Sequence, residues 1–172
     1  NSIIKGGGFE EEFPKRVLIE VKAIPQNVDD NQLIGRLNLT NKLIITIDGE
    51  DSRDFDDAVE VERLQNGNYL LGVHIADVTH YVKEGGAIDV EAFKRGTSVY
   101  FPEKVIPMLP ERLCNDLCSL KEGVDRLTLS CVMTIDSRGE IISSLITPSV
   151  IRSRARLTYN KVQAFLDGDK DI

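Results

Sequence analysis

The chain has 172 residues, of which 41% are hydrophobic and 28% are charged, and these values indicate one globular domain with its own core. No apolar stretch is long enough to cross a bilayer, no signal peptide is visible, and an odd number of cysteines (Cys114, Cys118 and Cys131) argues against a disulfide framework, so we expect a cytoplasmic protein with reduced thiols. The net charge of −7 opposes phosphate binding, so composition alone favours a metal-binding or protein-binding domain.

The first forty residues predict two helices. Residues 1–8 end in three glycines and are predicted as a flexible lead-in. Residues 9–24 begin with acidic residues and an early proline and continue with apolar residues at helical spacing, a pattern typical of an amphipathic helix. A second, shorter helix is predicted over residues 29–36, with Asp29 or Asp30 as its cap.

An unusually acidic stretch follows the next predicted element, a buried strand at residues 43–47. The ten residues 48–57 include six acids, namely Asp48, Glu50, Asp51, Asp54, Asp56 and Asp57. Carboxylates this crowded repel one another and raise each other's pKa, unless a cation such as Mg²⁺ lies among them. A solvated acidic loop is the simpler interpretation. Phe55 favours an ordered loop, because an inward-packed aromatic ring would fix the directions of the carboxylates on either side.

The remainder of the chain predicts hairpins separated by short helices. Residues 58–64 and 68–78 form a hairpin around Asn66-Gly67, a strong turn signal. Residues 126–136 and 140–152 form a second hairpin. Short helices are predicted from Ile88 or Asp89 to Arg95, near 111–120, and from Thr158 to Leu166. Together these elements predict an α+β fold with a mixed, mostly antiparallel sheet and flanking helices.

Several polar residues outside the acidic stretch have two possible interpretations each. His74 lies on a predicted strand, either as a satisfied core group or as a catalytic one. Asp77 ends that strand and would lie near a metal if its strand neighbours that of Asp48. Tyr100 lies within a predicted extended segment, residues 97–102, where a tyrosine is usually half-buried. Three arginines (Arg152, Arg154 and Arg156) alternate at strand period, which predicts either a row for phosphates or a solvated face.

Six blocks carry a family resemblance that covers about residues 43–167. The blocks are Ile45–Val59, Gly72–Val78, Arg95–Pro102, Ile106–Pro110, Leu117–Leu120 and Ala155–Tyr159. In sequence and in order they resemble the ribonuclease II/ribonuclease R (RNB) family, and their details are closer to ribonuclease R. Six ordered blocks are far more specific than one short motif.

The resemblance implies a 3′-to-5′ exoribonuclease that hydrolyses single-stranded RNA and releases nucleoside 5′-monophosphates. It implies Mg²⁺ as cofactor, with Mn²⁺ as a possible substitute, and four catalytic metal-binding aspartates: Asp48, Asp54, Asp56 and Asp57. We expect Asp48 and Asp57 to be the most direct ligands, and Asp54 and Asp56 to hold a second metal or orient the attacking water. Tyr100 matches the family tyrosine that stacks on a base at the RNA 3′ end.

The resemblance also divides the chain, with residues 1–40 as a helical connector and residues 41–172 as the N-terminal portion of the RNB catalytic domain. Family members carry separate RNA-binding domains, which would explain the acidic composition here. The family's transition-state arginine belongs to a later part of the domain, so we expect residues 1–172 alone to be inactive and prone to self-association. The alternatives are a non-catalytic metal- or protein-binding module, or a structural domain whose acidic loop is only solvated.

Overall fold

The computed structural model describes residues 10–102 and 104–169. Its helices are α1 (Lys15–Ala23), α2 (Asp30–Leu33), α3 (Val78–Tyr81), α4 (Ala87–Arg95) and α5 (Tyr159–Leu166), with a π-helical turn at Leu113–Leu117. Its strands are β1 (Leu37–Asn38), β2 (Ile45–Asp48), β3 (Asp57–Arg63), β4 (Tyr69–Ala76), β5 (Val99–Phe101), β6 (Lys104–Ile106), β7 (Asp125–Ile135), β8 (Ile141–Arg152) and β9 (Ala155–Thr158). Seven strands form one sheet in the order β1-β8-β7-β4-β3-β2-β9, while β5 and β6 form a separate hairpin. The predicted α+β fold with a mixed, mostly antiparallel sheet is confirmed.

The seven-stranded sheet curls until its two edges meet. Strand β1 pairs in parallel with β8, and β2 pairs in parallel with β9. Between these pairs the Leu39 amide donates to the Val150 carbonyl at 2.9 Å, and the Arg154 amide donates to the Ile44 carbonyl at 2.7 Å. Residues 37–48 therefore run beside residues 149–158. These two segments contain both edge strands, β1 and β9, so their pairing closes the sheet. The result is a barrel-like sheet with an inner and an outer face.

Both predicted hairpins are confirmed. Strands β3 and β4 pair in antiparallel register from Asp57↔Ile75 to Arg63↔Tyr69, and Gly67 in their turn has a φ of 85°, which favours glycine. Strands β7 and β8 pair along nearly their whole length, with one irregularity between Thr134 and Ile135. Because β3 and β4 are adjacent, the acidic stretch before β3 lies close to the end of β4.

The N-terminal helices are shorter than the sequence predicts. Helix α1 begins after Pro14 instead of at residue 9, because residues 10–14 have no regular secondary structure and make tertiary contacts instead. The Glu12 carbonyl accepts a hydrogen bond from Arg95 at 2.8 Å, and the Arg95 guanidinium lies 3.8 Å from the centre of the Phe13 ring. Helix α2 is a single turn with Asp29 as its cap, and Gly35 at a φ of 77° follows it. The predicted lead-in, residues 1–8, lies outside the described residues.

The hydrophobic core lies where α1, α4 and the π-helical turn pack on the sheet. It includes Val17, Val21, Ile44, Phe55, Ala58, Ala76, Ile88, Leu113, Leu117, Leu120 and Ile151. Helix α1 contributes to this core directly, since Val17 is 0% exposed. Within the described part of the chain, no helix is both long and apolar enough to cross a membrane.

The inner face of the curled sheet is polar. Thr46, Glu60, His74, Thr128, Ser130 and Ser149 are all buried there. The Nδ1 atom of His74 lies 2.6 Å from Ser130 Oγ, which in turn contacts Ser149 Oγ at 2.5 Å. Hydroxyl groups thus satisfy His74 Nδ1, whereas Thr46 Oγ1, Glu60 Oε1 and His74 Nε2 are buried without a hydrogen-bond partner in the described structure. The outer face carries apolar side chains instead, described below.

Candidate metal and RNA site

The acidic stretch is a loop held between two strand ends. Asp48 is the last residue of β2 and Asp57 is the first of β3, while residues 49–56 connect them without regular structure. Strands β2 and β3 pair only through Ile45↔Val59, so the chain opens out between Asp48 and Asp57. The acidic residues 50–56 therefore lie on an irregular loop and not on a continuous strand.

Phe55 anchors the loop from the inside, as its position among the acids predicts. The ring is only 8% exposed and belongs to the hydrophobic core. The Phe55 amide donates to Ser119 Oγ at 3.1 Å, and the Phe55 carbonyl accepts from the Leu120 amide at 2.9 Å. Ser119 Oγ donates in turn to the Arg53 carbonyl at 2.8 Å. These bonds fix the backbone on both sides of Asp54.

The four aspartates share one electrostatic field. Burial raises the pKa of Asp56 above its ordinary value, and the charges of Asp54, Asp57 and Asp48 raise it further. Burial and the charge of Asp57 raise the pKa of Asp48, against a lowering effect from Arg156. Like charges that raise each other's pKa in this way are a common property of cation-binding sites and active sites.

The donor chemistry of this loop fits a hard divalent cation. Asp48 Oδ2 is buried and makes no hydrogen bond in the described structure, so it is an acceptor without a donor. Carboxylate oxygens are the ligands that Mg²⁺ prefers. In residues 10–102 and 104–169, however, no three His, Cys, Asp or Glu side chains are placed so that they could hold one ion. Metal binding by Asp48, Asp54, Asp56 and Asp57 therefore stays a prediction.

Tyr100 lies beside the acidic loop. It is 69% exposed on β5, so the half-buried packing expected from its residue type alone is wrong. Tyr100, Asp54 and Asp56 line one cavity of about 410 Å³, with Ile75 and Met108 among its apolar walls. Burial raises the pKa of the Tyr100 hydroxyl, and the charges of Asp54 and Asp56 raise it further. A flat ring thus stands within electrostatic range of two carboxylates.

A wider cleft continues from this cavity along the other side of the loop. It has a volume of about 890 Å³ and lies between residues 49–54 and the β5–β6 hairpin. Four residues line both spaces, so the cavity and the cleft meet at Asp54, Ser98, Tyr100 and Cys114. A linear polymer could follow the cleft and place its end in the cavity.

The three arginines do not lie along one regular strand, because Arg154 occupies the bend between β8 and β9. Arg152 makes a two-pronged ion pair with Asp125, at 2.7 and 3.0 Å. Arg154 Nη2 donates to the Thr40 carbonyl at 2.8 Å. Arg156 Nη2 donates to the carbonyls of Gly49 and Glu50, at 2.8 and 2.6 Å. Binding of RNA by these arginines stays a prediction.

Two further candidates have structural partners. Asp77 was expected near the metal if its strand neighboured β2, but β3 separates β4 from β2. Asp77 pairs instead with Arg36 at 2.6 Å and caps α3 through the His80 amide. Although burial alone would raise the pKa of Asp77, the hydrogen bonds from Arg36 and Thr79 hold it below its ordinary value. His74 is 0% exposed in the polar interior, which supports the core interpretation.

The sequence alone did not assign a role to Ser119. It lies within the Leu117–Leu120 block that carries the family resemblance, yet a buried serine has no distinctive pattern. Its function is visible only from its two bonds to the acidic loop.

The RNB domain family matches residues 36–172. The chain belongs to this family. Among curated relatives, ribonuclease R of Thermotoga maritima is 60% identical over 91% of this chain and 22% of its own length. Ribonuclease R of Escherichia coli is 48% identical over 93% of this chain and 20% of its own length. The chain therefore spans about a fifth of the curated relatives that it matches.

Solved structures give the same result for the fold. Mycoplasma genitalium RNase R, solved in complex with double-stranded RNA, superposes with a TM-score of 0.92 at 32% identity, over 99% of this chain and 30% of that one. Yeast Ssd1, described as a pseudonuclease, superposes with a TM-score of 0.81 at 28% identity, over 97% of this chain and 21% of that one. The RNB fold thus occurs both in a ribonuclease and in a protein described as a pseudonuclease, so the fold alone does not determine the function.

Proposed function

We propose that this chain is the N-terminal part of the catalytic domain of a ribonuclease R-like 3′-to-5′ exoribonuclease. The enzyme hydrolyses single-stranded RNA from its 3′ end and releases nucleoside 5′-monophosphates, with Mg²⁺ or Mn²⁺ bound by the four aspartates. In this proposal residues 1–40 are the connector and residues 41–172 are the catalytic portion. A cytoplasmic location belongs to the same proposal.

One observation carries this proposal: an exposed tyrosine ring and two aspartates with interacting charges line the same cavity. Aromatic rings bind bases of single-stranded RNA without regard to sequence. Aspartates beside that ring are placed to act on the phosphodiester next to the stacked base. The relatives named above are ribonucleases R, and one is solved with RNA, which supports the same substrate class.

Each site residue has a task in the proposed reaction. When bound, Mg²⁺ would neutralise the phosphate, lower the pKa of a water and stabilise the leaving oxygen. Asp48 and Asp57 are the proposed direct ligands, and Asp54 and Asp56 would hold a second ion or orient the attacking water. Tyr100 stacks on the terminal base and so fixes which phosphodiester faces the carboxylates. Because the Phe55 ring is packed in the hydrophobic core, it fixes the directions of the neighbouring Asp54 and Asp56.

Replacement of Asp56 by Asn in the longer protein that carries this chain tests the proposal. We expect mononucleotide release to fall by about 100-fold or more, because a charged group at the reacting centre is lost. Asp30→Asn is the matched control, since Asp30 is an exposed aspartate on α2 that lines neither the cavity nor the cleft, and it should change the rate by less than about twofold. If the unsubstituted protein releases no mononucleotide in the presence of Mg²⁺, the non-catalytic alternative is favoured. Ssd1, described as a pseudonuclease, is an example of this fold in such a protein.

A further inference from the structure

Arg156 contacts the acidic loop at two separate places. It lies on β9, which runs parallel to β2 with Arg156 opposite Thr46, so its side chain reaches past the end of β2. There Nη2 donates to the carbonyls of Gly49 and Glu50, the two residues that follow Asp48. The guanidinium also lies 5.2 Å from the centre of the Phe55 ring, near the end of the loop.

These contacts use the side chain differently from phosphate recognition. An arginine that binds phosphate presents its planar fork of N–H groups to the ligand. Arg156 instead directs Nη2 at two backbone carbonyls, and its Nε is buried without a hydrogen-bond partner in the described structure. Arg156 is half-buried, whereas the neighbouring Arg154 is exposed.

Arg156 also connects the loop to other elements. Its backbone amide donates to Glu122 Oε2 at 3.3 Å, and two positions later Thr158 caps α5 through the Lys161 amide. From α5, Asn160 Nδ2 donates to Glu50 Oε1 at 2.9 Å. Strand β9 and the start of α5 thus fix the beginning of the acidic loop, at Gly49 and Glu50. Ser119 fixes its later part, at Arg53 and Phe55.

We propose that Arg156 is a positioning residue for the metal-binding aspartates and does not bind RNA phosphate. By fixing the carbonyls of Gly49 and Glu50 it sets the path of the chain as it leaves Asp48, and hence the separation of Asp48 from Asp54 and Asp56. The positive charge also offsets part of the repulsion among the carboxylates before a cation binds. This inference rests on the proposed function only in naming the ion and the reaction.

Arg156→Gln and Arg156→Lys test it, with Arg138→Gln as the matched control, since Arg138 pairs with Asp136 in the turn between β7 and β8. The first measurement uses residues 1–172 without RNA. We expect Arg156→Gln to weaken Mn²⁺ binding by about 10- to 100-fold, the usual effect of removing a group that orients metal ligands, and Arg156→Lys to recover part of the loss. Hydrogen exchange of amides 49–54 should accelerate while β4 and β7 stay protected. Unchanged loop exchange and unchanged Mn²⁺ affinity in a folded Arg156→Gln chain overturn the inference.

The second measurement uses the longer protein with single-stranded RNA. If Arg156 is a positioning residue, Arg156→Gln should lower kcat by about the same factor as it weakens Mn²⁺ binding. KM should change by less than about twofold, and the salt dependence of RNA binding should not change. A phosphate contact would instead raise KM and reduce the log–log salt slope by about 0.7. That pattern, with normal Mn²⁺ binding, contradicts the inference but leaves the proposed function intact. Loss of Mn²⁺ binding in a protein that never cleaves RNA supports the inference and contradicts the proposed function.

Discussion

Tyr100 and Asp56 face the same cavity from different parts of the fold. Tyr100 stands on the β5–β6 hairpin, which is separate from the main sheet, whereas Asp56 immediately precedes β3 in the centre of that sheet. The carbonyl of Asp56 accepts a hydrogen bond from the Ala76 amide at 2.9 Å, so its backbone is tied to the end of β4. The ring and the carboxylate therefore reach one cavity from two sheets that share no strand pairing.

Replacing Tyr100 should weaken RNA binding without disturbing the fold. Tyr100→Ala removes a stacking surface worth about 1–3 kcal/mol, so we expect the Kd for a single-stranded oligonucleotide to rise roughly 5- to 150-fold in the longer protein. Tyr100→Phe keeps the ring and should change the Kd by less than about threefold. Tyr159→Ala is the control, because Tyr159 is also exposed but lies on α5. Equal effects of Tyr100→Ala and Tyr159→Ala would rule out specific stacking.

The sequence predicted the strands and the acidic loop because both follow from local patterns. Alternating β-branched residues and the Asn66-Gly67 turn determine the β3–β4 hairpin. An inward-facing Phe55 among acids predicts an anchored loop, and its 8% exposure confirms it.

Features that depend on distant contacts could not be predicted in this way. The contacts of Arg95 with Glu12 and Phe13 delay the start of α1, and no local pattern shows them. Closure of the sheet requires residues 37–48 to lie beside residues 149–158, a pairing with no signal in either segment. For the same reason Arg152, Arg154 and Arg156 resemble one row in sequence, although Arg154 lies in a bend.

Burial of His74 should make the chain less stable as the pH falls. Burial lowers the pKa of His74 to about 4 from an ordinary 6.5, so between these values the unfolded chain binds a proton that the folded chain excludes. Above pH 6.5 this burial does not reduce the free energy of unfolding. On acidification the free energy of unfolding falls, and the loss reaches about 3 kcal/mol at pH 4. Urea unfolding of the unsubstituted chain and of His74→Gln from pH 7.5 to 4.5 measures it.

The comparison between these two proteins isolates His74 from other groups. Asp48, Asp56 and Glu60 have raised pKa values and contribute in the opposite direction, but they are present in both chains. We expect the stability difference between the chains to shrink as the pH falls below 6.5. A difference that is independent of pH would show that His74 ionises equally easily in both states.

Gly72 should tolerate no side chain, because it lies beneath Glu60 and His74 on the inner face. A Cβ atom at this position would stand 2.6 Å from Glu60 Cγ and 2.8 Å from His74 Nε2. We expect Gly72→Ala to reduce the free energy of unfolding by about 1–3 kcal/mol, as overpacking of a filled interior does. Chemical denaturation measures this loss.

A double-mutant cycle identifies the cause of the Gly72→Ala loss. Since Glu60 provides the closest contact, Glu60→Ala should relieve most of the penalty, and Gly72→Ala should cost under about 1 kcal/mol in that background. An equal cost in both backgrounds would assign the effect to the backbone of β4 instead of to this contact.

Residues 1–172 assayed alone should release little or no mononucleotide, even with Mg²⁺. The family resemblance assigns a transition-state arginine to a later part of the domain, and a net charge of −7 opposes RNA binding. A 3′-to-5′ assay with a labelled single-stranded substrate, with the longer protein as positive control, measures this. Steady processive release by residues 1–172 would show that the four aspartates and Tyr100 are sufficient.

The outer face of the sheet should cause residues 1–172 to self-associate, because it leaves an apolar surface in water. Ile75 pairs with Leu129 across β4 and β7, and both are exposed on this face. Ile146 on β8 lies on the same face, is 68% exposed, and lies opposite Cys131. We expect a sedimentation coefficient that rises with protein concentration.

Ile146→Lys tests whether this face is responsible. A buried, unpaired lysine at the contact is unfavourable, so the dimerisation Kd should rise by about tenfold or more while the fold is retained. Phe93→Lys is the control, because Phe93 is 90% exposed but lies on α4, away from the outer face. A monomer at every concentration contradicts self-association of residues 1–172. If Phe93→Lys has as large an effect as Ile146→Lys, the contact lies on α4 instead of on the outer face.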